Sequence, residues 1–197
     1  MTRQTTSESV TKGHPDKICD QISDAVLDEL LRHHPDSKAA IECLTTDNHV
    51  TIAGETDATM NVNDIVRQTL RSIGYTDPAF GITPEQATIT NRLNEQSQEI
   101  NDAVTQGDQG AGDQGMTIGY ATNQTQSYLP LSIDLAHKLT KRLTTVRENN
   151  DLDYLGPDGK AQVTIQHGQE PVISTVVVST QHHQDITLAQ LRDDILQ

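Results

Sequence analysis

Two periods of apolar and polar positions run through this chain, and the switch between them occurs twice. Ile18, Ile22, Ala25, Val26 and Leu30, with Glu29 the polar interruption, recur at three- and four-residue spacing. They predict a helix over 17–32, begun just after Pro15. Segments 38–45 and 49–56 read as strands joined by Thr46-Asp47-Asn48, a hairpin. Asn61 caps a second helix over 62–73, with a stripe of Ile65, Val66, Leu70 and Ile73 and a stop at Gly74. A loop containing Pro78, Gly81 and Pro84 leads to a strand over 86–93. With a short strand or arm at the N-terminus, the first order is helix, strand, strand, helix, strand.

The order then begins again. A long helix is predicted over 131–147, with Ile133, Leu135, Ala136, Leu139 and Leu143 inward. Segments 161–166 and 172–180 form a second hairpin, and Thr187 caps a last helix over 188–196. The first unit ends in a strand able to close its sheet. The second ends on its helix, which leaves an open sheet edge beneath an amphipathic element. The expectation is that a second chain supplies the missing strand, or that the second unit is naturally shorter.

Between the units lies Gly107-Asp-Gln-Gly-Ala-Gly-Asp-Gln-Gly115, running into Met116–Tyr120, which predicts an apolar strand. Four glycines cannot fill a core, but they let backbone approach a ligand closely. Asp113 and Gln114 on that turn point to small-molecule binding; the alternative is a surface loop with accidental repetition.

Charge narrows the partners. Fourteen basic against 28 acidic residues give a net charge of −14. Such a surface repels nucleic acid and anionic membrane, so neither is an expected partner. The chain has one Phe, four Tyr and no Trp, so Ile, Leu, Val and Ala must build the core. Cys19 and Cys43 lack metal-like spacing and read as free buried thiols in a reducing compartment. No apolar run is long enough to span a bilayer, and the first residues carry no apolar signal core. The expected location is cytoplasmic.

Three groups of residues can carry chemistry. Gly13-His14-Pro15-Asp16-Lys17 sits where a helix begins, and a helix N-terminus attracts phosphate. His14 and Lys17 add donors, and Asp16 suits Mg²⁺. Singly they also read as a cap and solvated side chains. Glu42 and Glu55 lie on the first hairpin among apolar neighbours and need a partner or cation unless they face solvent. Asp158-Gly159-Lys160 follows Gly156-Pro157, a common turn sequence whose lysine can also reach a phosphate.

Together with Ser7-Glu8-Ser9-Val10, Asp20-Gln21-Ile22-Ser23-Asp24-Ala25, Gly110-Ala111-Gly112-Asp113-Gln114-Gly115 and Ser179-Thr180-Gln181-His182, these motifs resemble those of the S-adenosylmethionine synthetases (methionine adenosyltransferases). The resemblance covers essentially the whole chain. It implies an α/β (α+β) fold of pseudo-repeated helix–hairpin–helix–strand units, incomplete in this chain. The implied division is 1–16 plus 122–197 as an N-terminal-type unit lacking its last strand, 17–95 as a central-type unit, and 96–121 as lid and glycine-rich loop or strand of a third unit completed by a partner chain.

The resemblance also implies a reaction. Methionine sulfur attacks C5′ of ATP, and the triphosphate leaves and is hydrolysed to pyrophosphate and phosphate. No protein nucleophile is required, so positioning and charge stabilisation carry catalysis. The implied roles are His14 and Lys17 at the triphosphate, His14, Asp158 and Lys160 on ATP, and Glu55, Gln96 and Asp113 on methionine. Asp16 binds Mg²⁺ and Glu42 binds K⁺. Segment 96–110 matches a mobile lid, although it is shorter than in the family and Glu95 stands where a lysine often precedes the glutamine.

Family members are about twice this long, and their second glycine-rich signature and later basic residues do not occur here. A departing triphosphate carries roughly four negative charges, and His14, Lys17 and Lys160 clamp it thinly in so acidic a protein. The expectation is therefore one subunit of a split, heteromeric methionine adenosyltransferase. It acts with a complementary C-terminal-half polypeptide in a hetero-oligomer, a dimer or a tetramer of pairs. The alternatives are a non-catalytic regulatory subunit or relic that binds a full-length synthetase, and an experimental truncation.

Overall fold

A computed structural model describes residues 3–95 and 115–197, with Glu95 described in its backbone only. Among the described residues it is a mixed α/β structure of two three-stranded sheets and four helices. The lid segment 96–110, Gln96 and Asp113 lie outside the described residues.

The first sheet grows from the hairpin β2 (Ala39–Thr46) and β3 (His49–Thr56), with β4 (Thr88–Glu95) parallel to β3 on its far side. Two helices cover one face: α1 (Pro15–His33) and α2 (Val62–Ile73). Alternation along β3 sends Val50, Ile52 and Thr56 inward, where Val50 and Ile52 meet Ile18 and Ile22 of α1 and Val66, Leu70 and Ile73 of α2. Aliphatic burial of this kind contributes roughly 1.5–3 kcal/mol per side chain, which makes this cluster the main stabilising body. The opposite face carries His49, Thr51, Ala53 and Glu55.

The second sheet has the order β1 (Gln4–Val10), β5 (Leu155–Gln166), β6 (Val172–His182), all antiparallel. Its covering helix α3 (Leu131–Glu148) lies on Val163 and Ile165, with Ala136 buried at the contact and Leu131, Leu135 and Leu139 packed around it. The last helix, α4 (Leu188–Ile195), buries none of its residues fully, although Leu191 and Ile195 rest against Leu143, Val146 and Tyr154. Thus β1, from the start of the chain, forms a sheet with strands more than 140 residues away.

The junction between the sheets is polar. Arg147 Nη2 donates to Ile73 O at 2.9 Å, Gln181 Nε2 to Phe80 O at 3.0 Å, and Lys12 Nζ to Ser72 O at 3.4 Å. The Phe80 and His183 rings lie 4.7 Å apart, and His183 Nε2 is 3.5 Å from Asp77.

Several elements differ from the sequence expectations. The helix expected from Lys17 begins at Pro15, the favoured first helical position for proline. The strand expected from Ala161 begins at Leu155 and absorbs the Gly-Pro-Asp-Gly turn sequence. The cause is tertiary: Thr11 N–H donates to Gly159 O at 2.8 Å and Thr11 Oγ1 to Pro157 O at 2.7 Å. A register shift between Leu155 and Gly159 accommodates the proline, as bulges do. Met116–Tyr120 is not a strand, and Met116, Ile118 and Tyr120 stand exposed with no ladder partner among the described residues. Apolar composition predicts a strand only where a sheet receives it. Cys19 and Cys43 are free but half-buried, and burial pushes the Cys19 thiol up to about 11. Among the described residues, no helix is long and apolar enough to cross a membrane.

Candidate functional site

The turn from β1 into α1 and the entry of β5 meet in space. His14 is the N-cap of α1: its Nδ1 accepts from the Asp16 amide at 3.2 Å. The Asp16 carboxylate, at 3.8 Å, lies beyond hydrogen-bond reach of the same nitrogen. With Nδ1 accepting that amide bond, the proton of the neutral imidazole sits on Nε2, which can donate. The helix dipole adds partial positive charge at the same place.

Asp158 stands across from His14. Its Oδ1 is buried without a hydrogen-bond partner among the described residues. Burial pushes its carboxyl above the ordinary range, while His14, Lys160 and the Gly159 amide pull the other way. A carboxylate oxygen there repels phosphate but accepts from a hydroxyl, an amino group or a hydrated cation. Lys160 follows on the same face of β5, opposite Val10 of β1, and is exposed. Donors for an anion and an acceptor for a polar ligand thus stand side by side.

Lys17 is placed differently from His14. Its ammonium binds Asp20 at 2.6 Å, and the bond to Asp20 raises its pKa. It also lines a cavity of about 500 Å³ at the free edge of β1, with Lys12, His137 and Lys141. Glu42 and Glu55 share one face. In the β2–β3 register Glu42 stands opposite Ala53 and Glu55 opposite Ala40, so the two carboxylates are diagonal neighbours on the side away from the helices. Strand alternation alone left the facing of Glu42 open; it is exposed.

The donor set is suited to hard cations in part. The Asp16 side chain is 85% exposed, with no lysine or arginine ion pair. Mg²⁺ typically binds through one or two carboxylates plus substrate phosphates and water, so a single exposed carboxylate beside an anion site fits it. Glu42 offers oxygen ligands on an open face, which suits K⁺. Among the described residues no group of three or more His, Cys, Asp or Glu gathers to hold a metal unaided.

Sequence reasoning missed Thr11 and Tyr75. Thr11 welds the turn to β5, and the Tyr75 hydroxyl donates to Gly13 O at 2.6 Å. A signal for Tyr75 existed: it directly follows the Gly74 helix stop and is one of very few aromatic residues in the chain.

The fold defines a class: a mixed α/β protein of repeated hairpin–helix units, with His14, Asp158 and Lys160 gathered near the N-terminus of α1. Sequence comparison makes the class specific. The family models for the S-adenosylmethionine synthetase N-terminal domain and central domain match residues 2–98 and 108–197. The chain is similar to the S-adenosylmethionine synthase of Finegoldia magna (45% identity over 96% of this chain and 53% of the relative). It is 47% identical to that of Desulfosudis oleivorans over 97% of this chain and 52% of the relative. That of Clostridium tetani is 43% identical over 100% of this chain and 54% of the relative. The chain belongs to the S-adenosylmethionine synthetase family, and it spans about half the length of the curated relatives it matches.

Proposed function

We propose that this chain forms the ATP-side half of a methionine adenosyltransferase active site and works with a complementary C-terminal-half polypeptide in a hetero-oligomer. One observation supports this most: the meeting of the His14 turn with the partnerless buried oxygen of Asp158 and with Lys160. The reaction needs a site that takes a polyanion and a polar nucleoside together, and these side chains match that need.

In this reading His14 Nε2–H and Lys160 bind triphosphate oxygens and stabilise the charge that grows as C5′–O breaks. Asp158 accepts a hydrogen bond from the nucleoside end of ATP. Lys17 joins the clamp by exchanging Asp20 for phosphate. Asp16 would hold Mg²⁺ and Glu42 would hold K⁺, and when bound the ions would supply charge neutralisation of the leaving group. Glu55, with Gln96 and Asp113, orients methionine so that its sulfur lies in line with C5′.

The need for a partner is supported by charge and by shape. Few cations face a leaving group of roughly four negative charges. Among the described residues the β6 edge also stays open, with Val172, Ile173, Val176 and Val177 between 46% and 59% exposed. Methionine-dependent formation of S-adenosylmethionine from ATP tests the reading. It is assayed with the chain alone, with a C-terminal half taken from a relative, and with both. Activity in the mixture alone is expected; an active mixture that tolerates His14→Ala at full rate contradicts the assigned roles.

A further inference from the structure

Carbonyl oxygens of a turn that faces an anion must point away from it. In this turn all three preceding His14 are taken from inside. Thr11 O accepts from the His14 amide at 3.1 Å, Lys12 O from Gln21 Nε2 at 2.7 Å, and Gly13 O from the Tyr75 hydroxyl at 2.6 Å. The first two donors belong to the turn and its own helix. The third comes from beyond the end of α2, 62 residues along the chain.

Tyr75 is built for that one bond. It is 4% exposed, and burial, with Asp158 adding to it and Arg147 opposing, pushes its phenol pKa up, so the hydroxyl stays a donor. Its position is set by the α2 stop. Gly74 takes a φ of 108°, and the Tyr75 amide donates to Leu70 O at 3.1 Å. Arg147 covers the stop: a Cβ on Gly74 would meet Arg147 Nη1 at 2.3 Å, and Nη2 holds Ile73 O. On the other side, a Cβ on Gly13 would lie 2.4 Å from Pro157, the residue before Asp158. The Gly13 peptide is clamped between the Tyr75 hydroxyl and the strand that carries Asp158.

We propose that Tyr75 is a positioning residue for triphosphate binding: its hydroxyl turns the Gly13 carbonyl inward and so aims His14 at the anion. Removing it frees a carbonyl oxygen to rotate toward the phosphates, where it repels them. The proposal rests on the triphosphate reading of this turn.

Tyr75→Phe deletes one oxygen and keeps the ring. Hydrogen exchange and binding of magnesium tripolyphosphate are measured on the full chain, wild type and variant. In the variant the His14 and Asp16 amides are expected to exchange about tenfold faster, while Ile22 and Val66 in the core stay within about twofold. Tripolyphosphate binding is expected to weaken about fivefold or more. Unchanged exchange at His14 and Asp16 overturns the proposal. So does acceleration spread evenly through α2 and the core, which marks Tyr75 as a structural support only, and so does unchanged tripolyphosphate affinity. A wild-type chain that binds no tripolyphosphate even when mixed with the C-terminal half of a relative, with exchange still altered locally, overturns the triphosphate reading instead and leaves the positioning of His14 by Tyr75 standing.

Discussion

The strand β3 lies between β2 and β4 and buries Val50 and Ile52 completely, whereas β6, among the described residues, has β5 on one side only and leaves four of its apolar residues about half exposed. The helices that follow differ in the same sense. α2 buries Val62, Val66, Leu70 and Ile73, and α4 buries none of its residues. Both regions have the same order, helix, hairpin, helix. One has received a parallel strand after its second helix; the other has not, among the described residues. Conversely β5 has β1 on its outer side, and β2 has no equivalent. Among the described residues each sheet thus leaves open the position that the other fills. Buried apolar packing is therefore unequal: the first sheet holds most of the core, and the second carries the exposed apolar strand residues and joins the turn before α1.

The sharpest way to break this comparison is to cut matching side chains from the two hairpins. Ile52→Ala leaves a cavity in a fully enclosed site and is expected to cost about 3 kcal/mol or more in denaturant unfolding. Val177→Ala, on the open edge, is expected to change the stability of the isolated chain by less than about 0.5 kcal/mol. Similar losses at both positions would mean that the second sheet is as complete as the first.

A smaller effect separates site from scaffold. The folded-state pKa of Asp158 is raised, so the folded chain holds that proton more tightly than the unfolded chain. The linked stability is full below the ordinary carboxylate value and is lost as pH rises through the folded value. Asp158→Asn is therefore expected to stabilise the chain at neutral pH and not at pH 3. Because the group is only half-buried, solvent screening holds the gain below about 1 kcal/mol. The same variant is expected to lose activity in the assembled enzyme, the pattern of a residue kept for function at a cost in stability. Thermal unfolding of the two proteins at both pH values checks the sign.

The smallest expected change lies on the outer face of the first sheet. Glu55→Gln should move stability by less than about 0.5 kcal/mol, since Glu55 faces away from the core. In the assembled enzyme it should raise the KM for methionine roughly tenfold or more, the value of a charge-assisted hydrogen bond. A stability loss without a change in KM would move Glu55 from the site to the scaffold.

Most of the element order was legible in the sequence, because period-two and period-3.6 patterns persist wherever one face is buried. The misreadings share a cause. Gly156–Gly159 has the composition of a turn, yet Thr11 draws it into β5; Met116–Tyr120 has the composition of a strand, yet no sheet receives it. Both outcomes depend on partners distant in sequence. The site was legible as residue types, since His14, Asp16, Asp158 and Lys160 stand out by chemistry. What the sequence could not show was orientation: the amide bond accepted by His14 Nδ1, the commitment of Lys17 to Asp20, and the hydroxyl of Tyr75 arriving from the end of another helix.

The central claim is that the open edges and thin positive charge of this chain are completed by a C-terminal half. The most direct measurement is S-adenosylmethionine formation after mixing the purified chain with the C-terminal half of a relative, with complex formation followed by sedimentation. The account predicts a stable complex that turns over ATP and methionine, with neither component active alone. Full activity from the isolated chain, or a stable complex that stays inactive while the intact relative works under the same conditions, would contradict it.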